Sequence, residues 1–373
     1  MDPSQLLDEI QIQGLKSFDD ARVALRRINL LIGANGSGKS NLLTAFRLLQ
    51  LLGQDPDQAR LQKMIAIAGG AEQFLHLGSK RTPSLSLGVS FDKGDSNLYA
   101  ELTRDHADRL LLTGAWSHPP VSNAFGEKEP LYRDPEGIQV VPDRLRKLTG
   151  DWRVYHFRDT SPESPLRRTQ DLHDNRCLRP DGSNLAPLLY RMRNLHKKSY
   201  ASIRRAVKSF APFFDDFELE PTALNQGKIR LEWRQLGSES YFDAASLSDG
   251  TLRFIALSTL LLQPRELRPS LLLIDEPELG MHPSAISLLA ALLKKAANHS
   301  QIVVATQSAK LLDFFEPEDV IVADREFEAT KLRRLDSAAL NDWLEEYSLG
   351  ELWEKNEFGG RPGNEKLQHA GNH

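Results

Sequence analysis

Runs of apolar residues at strand and helix spacing mark out the first part of the chain. Residues 28–32 form a short apolar run of strand length, and residues 41–49 carry apolar side chains at helical spacing. Further runs either alternate with period two or have strand length, which predicts an antiparallel flap followed by a β-meander. These strands are expected at 10–13, 21–25, 85–91, 98–102 and 110–115.

After a long polar stretch, the rest of the chain again contains both strand-like and helix-like patterns. From Ser117 the sequence is rich in Pro, Gly and charge, and helical periodicity resumes only over 185–210. Alternating strands and another helix follow. This order predicts an α/β fold with a mixed sheet, in which two halves of one domain enclose an inserted, basic, mostly helical region. The halves are expected at 1–117 and 213–373, and the insertion at 118–212.

A glycine-rich loop with the pattern G-x-x-x-x-G-K-S joins the 28–32 strand to the 41–49 helix. Its glycines let successive backbone N–H groups point inward, and the helix dipole reinforces this anion site. Lys39 is expected to reach the β- and γ-phosphates of a nucleotide, and the Ser40 hydroxyl to ligate Mg²⁺. A glycine-rich turn with an exposed lysine is the alternative, and the strand-to-helix context disfavours it. The predicted nucleotide-binding residues are Gly33, Ala34, Asn35, Gly36, Ser37, Gly38, Lys39, Ser40 and Asn41.

Two later segments supply the chemistry that such a loop needs. The apolar run from Leu271 ends in Asp275 and Glu276. Asp275 is expected to hold Mg²⁺ through water, and Glu276 to orient or deprotonate the attacking water. Ser248 and the backbone around Gly250 precede a helical pattern and are expected to form a second phosphate cradle. Each segment alone also fits an ordinary strand end or helix cap, so the combination with the loop carries the prediction.

Composition describes an ordinary globular protein. Hydrophobic residues make up 40% and charged residues 26%, and the net charge of -4 gives no global signature of a nucleic-acid binder. The single cysteine, Cys177, excludes a disulfide framework and a cysteine-based zinc site, which suits a reducing compartment. No apolar run approaches the ~20 residues of a spanning helix, and the N-terminus lacks the blocks of a signal peptide. The sequence predicts a cytoplasmic protein without membrane association.

One region departs from this overall balance. Residues 144–208 hold 16 Lys/Arg against 6 Asp/Glu, an excess of 16 - 6 = +10. Such a patch is able to follow a phosphate backbone. A solvated face that balances acidic surface elsewhere explains the same charge equally well, and both interpretations stay open. The aromatic residues interleaved with these charges are Trp152, Tyr155, Phe157, Tyr190 and Tyr200.

With these motifs the chain resembles an ABC-type ATPase of the SMC, RecF and OLD group. GANGSGKSN at 33–41 resembles the Walker A motif of that group, and LSDGT at 247–251 resembles its signature motif. LLLIDEPELGMHP at 271–283 resembles the Walker B motif and D-loop of the branch labelled as predicted AAA-type ATPases. GLKSF at 14–18 and ELWEKNEFGGRP at 351–362 are also similar to that branch. The resemblance covers both ends of the chain and covers the middle poorly.

The resemblance implies a head that forms a homodimer around two ATP molecules with Mg²⁺. Ser248 and Gly250 would contact the γ-phosphate that the partner's Walker motifs hold. The switch position, usually His, falls on Gln307, which is expected to act in catalysis by hydrogen bonding but carries no charge. The D-loop aspartate position falls on His282. These two departures predict slow or differently regulated hydrolysis. The Q-loop glutamine is not assigned, with Gln73 and the segment 155–159 as its candidates.

The resemblance also implies a biological setting, either DNA repair or anti-phage defence. ATP is expected to close the dimer, and the basic insertion to engage DNA or a partner protein. OLD relatives carry a TOPRIM nuclease after the ATPase, whereas few residues follow Gln307 here. A nuclease or toxin is therefore expected as a separate subunit. One alternative is a sensor or scaffold that binds ATP tightly, turns over slowly and holds such a partner. Another is the motor subunit of a transporter, which the long insertion and the missing switch His disfavour.

Overall fold

Two compact units make up the chain. The computed structural model describes residues 6–54, 58–94, 96–118 and 143–360. The first unit is formed by residues 2–151 together with 307–373, and the second unit by residues 152–306. Within the described part of the chain, no helix combines the length and the apolar character that crossing a bilayer requires.

Strands and helices alternate along both units. The strands are β1 Leu7–Leu15, β2 Phe18–Ala24, β3 Ile28–Ile32, β4 Ser84–Phe91, β5 Ser96–Arg104, β6 Leu110–His118, β7 Arg153–Tyr155, β8 Gln170–Asp171, β9 Phe214–Glu218, β10 Lys228–Ile229, β11 Glu232–Gln235, β12 Tyr241–Asp243, β13 Leu271–Asp275, β14 Gln301–Ala305, β15 Val320–Glu326 and β16 Ala329–Arg334. The α-helices are α1 Lys39–Gln54, α2 Ala59–Ile67, α3 Asp143–Thr149, α4 Leu185–Leu195, α5 Lys197–Phe210, α6 Asp249–Leu262, α7 Pro283–Ala297, α8 Ala309–Leu312, α9 Ser337–Leu344 and α10 Leu349–Glu354.

An antiparallel sheet in the first unit has the strand order β2-β1-β4-β5-β6. In its register Ile12 is paired with Ala21 on one side of β1, and Ile10 with Val89 on the other. Period-two alternation places the apolar residues of β1 on one buried face, and both isoleucines are fully buried. The predicted flap and meander are therefore confirmed, with β1 and β2 as the flap and β4 to β6 as the meander.

The strand that leads into the glycine-rich loop also belongs to the first unit. All five residues of β3 are buried, and β3 pairs in parallel with β15, which pairs antiparallel with β16. A strand covered on both faces reads as a continuous apolar run rather than as an alternating one. Helix α1 begins at Lys39 and buries one apolar face, which includes Leu42 and Phe46. The predicted order of strand, loop and helix is confirmed.

The second unit is built around another apolar strand. Strand β13 pairs in parallel with β14 and with β7, and Leu271 to Ile274 are buried. Helix α6 is buried on nearly all sides, as expected for a helix that is apolar around its whole circumference. Phe254 of α6 stacks on Phe210 of α5 with ring centroids 4.3 Å apart.

The two units divide the chain differently from the predicted halves and insertion. The segment 118–212 contains the expected helices α4 and α5, but it also contains β7, a strand of the same sheet as β13. Residues 119–142 lie outside the described residues. A three-residue strand between charged neighbours is too short to produce a periodic signal, so its pairing arises from tertiary contacts. The region around β7 thus contributes a strand to this sheet, and the predicted division into two halves and an insertion stays a prediction.

Candidate functional site

The phosphate-binding loop has a backbone that only glycine adopts without strain. Gly36 and Gly38 have φ of +81° and +108°. A Cβ at Gly38 would lie 2.4 Å from Oγ1 of Thr330, and a Cβ at Gly33 would lie 2.4 Å from the carbonyl oxygen of Ala323. The loop is thus pressed against β15 and β16, and its glycines are required by close approach as well as by conformation.

Lys39 is held at this loop. Its side chain is buried, with the residue only 7% exposed, and Nζ donates to the carbonyl oxygens of Gly33 at 2.6 Å and Ala34 at 2.8 Å. The hydroxyl Oγ of Ser37 is buried and has no hydrogen-bond partner among the described residues, whereas Ser40 is exposed at the start of α1. A buried ammonium, an unsatisfied hydroxyl and inward-curled glycines fit the phosphates of a nucleotide.

Three side chains support the loop from behind, and two of them, Thr330 and Ser17, lie outside the motif. The Thr330 hydroxyl donates to the carbonyl oxygen of Ser37 at 2.8 Å and lies 2.7 Å from the Ser17 hydroxyl. Nδ2 of Asn41 donates to the same Ser17 oxygen at 2.8 Å. Ser17 belongs to the GLKSF segment, so this segment buttresses the loop. Thr330 carries no local sequence signal, because its contact joins residues 293 positions apart.

A pocket of about 380 Å³ adjoins the loop within the first unit. It brings the switch position Gln307 together with the first three residues of the loop, as the resemblance implies. The other lining residues come from α8, from the end of α10 and from the turn that follows. The lining residues are Gly33, Ala34, Asn35, Gln307, Ala309, Trp353, Glu354 and Gly360.

Asp275 and Glu276 lie in the second unit, at the end of β13. Glu276 has a φ of +47°, which is uncommon for a residue with a side chain and costs free energy. Its backbone N–H donates to the carbonyl oxygen of Ala305 at 2.8 Å. This bond holds the strained residue in place directly after the strand. Strain of this kind concentrates at functional sites, and the catalytic role of Glu276 stays a prediction.

Arg158 joins the two carboxylates and was missed by sequence reasoning. Its guanidinium lies 2.7 Å from Oδ2 of Asp275 and 3.3 Å from Oε2 of Glu276. The loop that carries it follows β7, and the carboxyl ends of neighbouring parallel strands meet at one edge of a sheet. The segment 155–159 was a candidate for the Q-loop, and it contains this arginine where a glutamine was sought. The other candidate, Gln73, is exposed on a short 3-10 helix, Ala71–Phe74, of the first unit.

The signature segment begins α6 in the second unit. The backbone N–H of Thr251 donates to Oγ of Ser248 at 3.2 Å, so Ser248 is the N-cap of the helix. A Cβ at Gly250 would lie 2.4 Å from the carbonyl oxygen of Gly280. The start of α6 therefore touches the backbone of the segment that follows Glu276, and only glycine permits this approach. Ser248 remains exposed to solvent.

Two arginines connect the signature segment with the loop after β7. Arg253 of α6 is 4% exposed, and its guanidinium donates to the carbonyl oxygens of Phe157 at 2.8 Å, Arg158 at 3.2 Å and Leu279. Burial lowers the pKa of this guanidinium, although the carboxylates nearby oppose the shift. Arg253 thus fixes the main chain on both sides of the Asp275 carboxylate.

Arg167 makes a second connection of the same kind. It donates to the carbonyl oxygen of Thr160 at 3.0 Å, to the carbonyl oxygen of Leu247 at 3.2 Å and to the carboxylate of Asp249 at 3.0 Å. The loop after β7 and the start of α6 are therefore joined by side chains from both segments. Neither arginine stands in a recognisable motif, so the sequence carries no signal for this arrangement.

His282, at the D-loop aspartate position, has a local structural contact. It is the N-cap of α7, where its Nδ1 accepts from the backbone N–H of Ser284 at 3.3 Å. The residue is exposed. The sequence departure at this position is therefore compatible with the ordinary start of a helix.

Comparisons with known proteins identify a family and a fold. A family model described as "AAA domain, putative AbiEii toxin, Type IV TA system" matches residues 28–313. Among solved structures, an Smc head bound to the C-winged helix domain of ScpA is 15% identical, covers 90% of this chain and 99% of its own, and gives a TM-score of 0.60. No curated protein matches the chain.

A second solved structure gives the same result. It is an Smc head with an extended coiled coil bound to the C-terminal domain of ScpA, derived from Pyrococcus furiosus. It is 15% identical, covers 91% of this chain and 98% of its own, and gives a TM-score of 0.57. At this identity the likeness shows the fold, which is that of an ABC-type P-loop head with mixed and antiparallel sheets. The predicted fold class is confirmed.

Proposed function

The chain belongs to the AAA family with the putative AbiEii toxin and Type IV TA description, and we propose that it hydrolyses ATP to switch between two states that differ in how they engage a partner. Its family and fold are those of ATPase-type nucleotide-binding proteins. The observation that carries the proposal is the loop with the buried Lys39 ammonium, whose first residues line a pocket together with Gln307. That this chain itself hydrolyses ATP is part of the proposal.

Each predicted site residue has a role in this proposal. Residues 33–41 bind the phosphates, and Ser40 and Asp275 would hold Mg²⁺. The bound metal ion would neutralise phosphate charge. Glu276 orients the attacking water and accepts its proton. Gln307 donates an amide hydrogen bond toward the γ-phosphate, and because it carries no charge we expect slow hydrolysis.

Removal of the Arg158 side chain is expected to favour metal binding. Its guanidinium neutralises Asp275 and Glu276, so a cation bound at Asp275 has to displace it or share the carboxylates. The side chain is half exposed, and ion pairs of this kind contribute about 1 kcal/mol or less. Arg158→Ala should therefore lower the Mg²⁺ concentration for half-maximal ATP binding about two- to fivefold. Titration of a fluorescent ATP analogue with Mg²⁺ measures this.

The matched control for that titration is Arg168→Ala. Arg168 lies on the same segment with an exposed side chain, and its replacement should leave the Mg²⁺ requirement unchanged. A higher Mg²⁺ requirement in Arg158→Ala would contradict the expected competition and would mean that the arginine assists nucleotide binding directly.

We further propose that the switch is the formation of a homodimer with composite ATP sites. Ser248 and Asp249 are exposed at the start of α6, a helix of 14 residues. Their backbone N–H groups and the helix dipole suit the γ-phosphate bound by a second copy. Arg167 and Arg253 hold this end of α6 in place, which supports its use as a preformed docking surface.

The partner that fits the structure best is a protein effector, such as a separate toxin or nuclease subunit, in anti-phage defence. Four of the five aromatic residues in the basic segment are buried, namely Trp152, Tyr155, Phe157 and Tyr200, so they are not available to stack on bases. At least six of its 16 Lys/Arg residues are paired with carboxylates. The toxin–antitoxin description of the family supports the same proposal.

A DNA-responsive ATPase, in DNA repair or defence, is the second candidate. The excess of +10 over residues 144–208 favours it. Steady-state ATP hydrolysis at low salt, with and without linear double-stranded DNA, decides between the two. We expect turnover to change by less than about twofold, because exposed paired charges give weak backbone contacts. Stimulation that fades as salt rises would overturn the effector proposal in favour of DNA.

A further inference from the structure

The segment 349–360 forms one wall of the pocket beside the phosphate-binding loop and lies outside the residues that the family model matches. Helix α10 begins at Ser348 with a capping box. The backbone N–H of Gly350 donates to Oδ1 of Asp313 at 2.9 Å. A Cβ at Gly350 would lie 2.3 Å from the carbonyl oxygen of Ala309. Because α10 packs this closely on α8, the side chains at its end have a fixed position.

Trp353 is the buried residue at that end. It lines the pocket and is only 7% exposed, and its indole N–H has no hydrogen-bond acceptor among the described residues. Buried donors are nearly always paired, and an indole N–H is a donor only. Among the described residues, this donor therefore lacks an acceptor and belongs to a residue that lines a pocket.

Gly360 lies between the indole and the phosphate-binding loop. A Cβ at Gly360 would lie 3.4 Å from Nε1 of Trp353 and 3.5 Å from Cα of Gly33. Gly359 and Gly360 have φ of +79° and +87°, and the Arg333 guanidinium donates to the carbonyl oxygen of Phe358 at 2.6 Å, just before them. The turn is thus held against the loop without a side chain between Trp353 and Gly33.

We propose that the indole N–H of Trp353 donates a hydrogen bond to an oxygen of the terminal phosphate of a nucleoside triphosphate. The inference rests on the proposed function and adds a residue that distinguishes triphosphate from diphosphate. Phosphate oxygens are strong acceptors. The same pocket is lined by Gln307, the switch position, and by the first three loop residues, so the acceptor nearest Trp353 on a bound nucleotide is on its last phosphate.

Glu354 restricts which phosphate binds there. Glu354 lines the same pocket, and an acidic residue there makes the pocket less favourable for a free anion. A phosphate attached to a nucleotide is held by Lys39 and the loop N–H groups, which offset that repulsion. The pocket therefore favours the terminal phosphate of a bound nucleotide over inorganic phosphate alone.

Equilibrium binding to the full chain with Trp353→Phe tests the inference, because phenylalanine keeps a six-membered aromatic ring and lacks the pyrrole ring with its N–H donor. With Mg²⁺ present, the affinity for a non-hydrolysable ATP analogue should fall about tenfold, and the affinity for ADP should not change. Trp343→Phe is the matched control, since Trp343 lies on α9 of the same unit and is 46% exposed. It should leave both affinities unchanged.

A second readout follows the N–H directly. In the ¹H–¹⁵N spectrum of labelled protein, the indole signal of Trp353 is identified by its absence from the spectrum of Trp353→Phe. The chemical shift of this signal should change when the ATP analogue is added and should not change when ADP is added. A shift with ADP plus inorganic phosphate would also support a phosphate at Trp353. Equal loss of affinity for both nucleotides, or no loss for either, would overturn the inference while leaving the proposed function intact. A wild-type chain that binds neither nucleotide would overturn both.

Discussion

Replacement of Lys39 with alanine is expected to weaken ATP binding about 100-fold and to remove hydrolysis. The ammonium group is buried in the loop, where it donates to the carbonyl oxygens of Gly33 and Ala34. A phosphate in the loop would exchange these neutral acceptors for charged ones, which form much stronger hydrogen bonds. The loss should appear in titrations with a fluorescent ATP analogue as well as in phosphate release.

Lys63→Ala provides the matched control for Lys39→Ala. Lys63 is exposed on α2 of the same unit, so its removal should leave binding and hydrolysis unchanged. Thermal unfolding of both variants shows whether the loop substitution acts through the fold. Unaltered ATP affinity in a folded Lys39→Ala chain would contradict the assignment of the loop as a nucleotide site.

Replacement of Glu276 with glutamine is expected to slow hydrolysis by about 10² to 10⁴, the usual contribution of a general base. Binding of ATP should persist, because the substitution leaves the phosphate-binding loop unchanged. The proposed composite site then predicts that MgATP accumulates a dimer of the Glu276→Gln chain at micromolar concentration. Size-exclusion chromatography with light scattering, with and without MgATP, measures the dimer fraction.

Glu239→Gln is the corresponding control, since Glu239 is an exposed carboxylate in the same unit. It should hydrolyse ATP at the wild-type rate and give no lasting dimer. If the Glu276→Gln chain stays monomeric with MgATP, the composite site at Ser248 and Gly250 is wrong, although the chain would still be a nucleotide-binding protein.

Local patterns explain why so much of the fold was predictable. The apolar runs at β3 and β13, the flap and the meander each arise from residues close together in sequence. The order of strand, glycine-rich loop and helix was predictable for the same reason, because the strand before the loop and α1 after it are both visible as apolar patterns. Gln307 could be placed in the pocket only through a family resemblance, since a single glutamine has no periodic signature.

Contacts between distant segments explain what was missed. Arg158 reaches Asp275 across 117 positions, and it does so because the three-residue strand β7 pairs with β13. Thr330 and Trp353 reach the loop region in the same way. Composition counts the aromatic residues of the basic segment, but it does not show that Trp152 and Tyr155 are in the core.

The most direct test of the proposed ATPase is steady-state phosphate release from ATP with Mg²⁺, comparing the wild-type chain with Lys39→Ala prepared identically. We predict slow, Mg²⁺-dependent release by the wild type and none above background by the variant. Equal release from both preparations would mean that the activity comes from elsewhere, and it would contradict hydrolysis at the phosphate-binding loop.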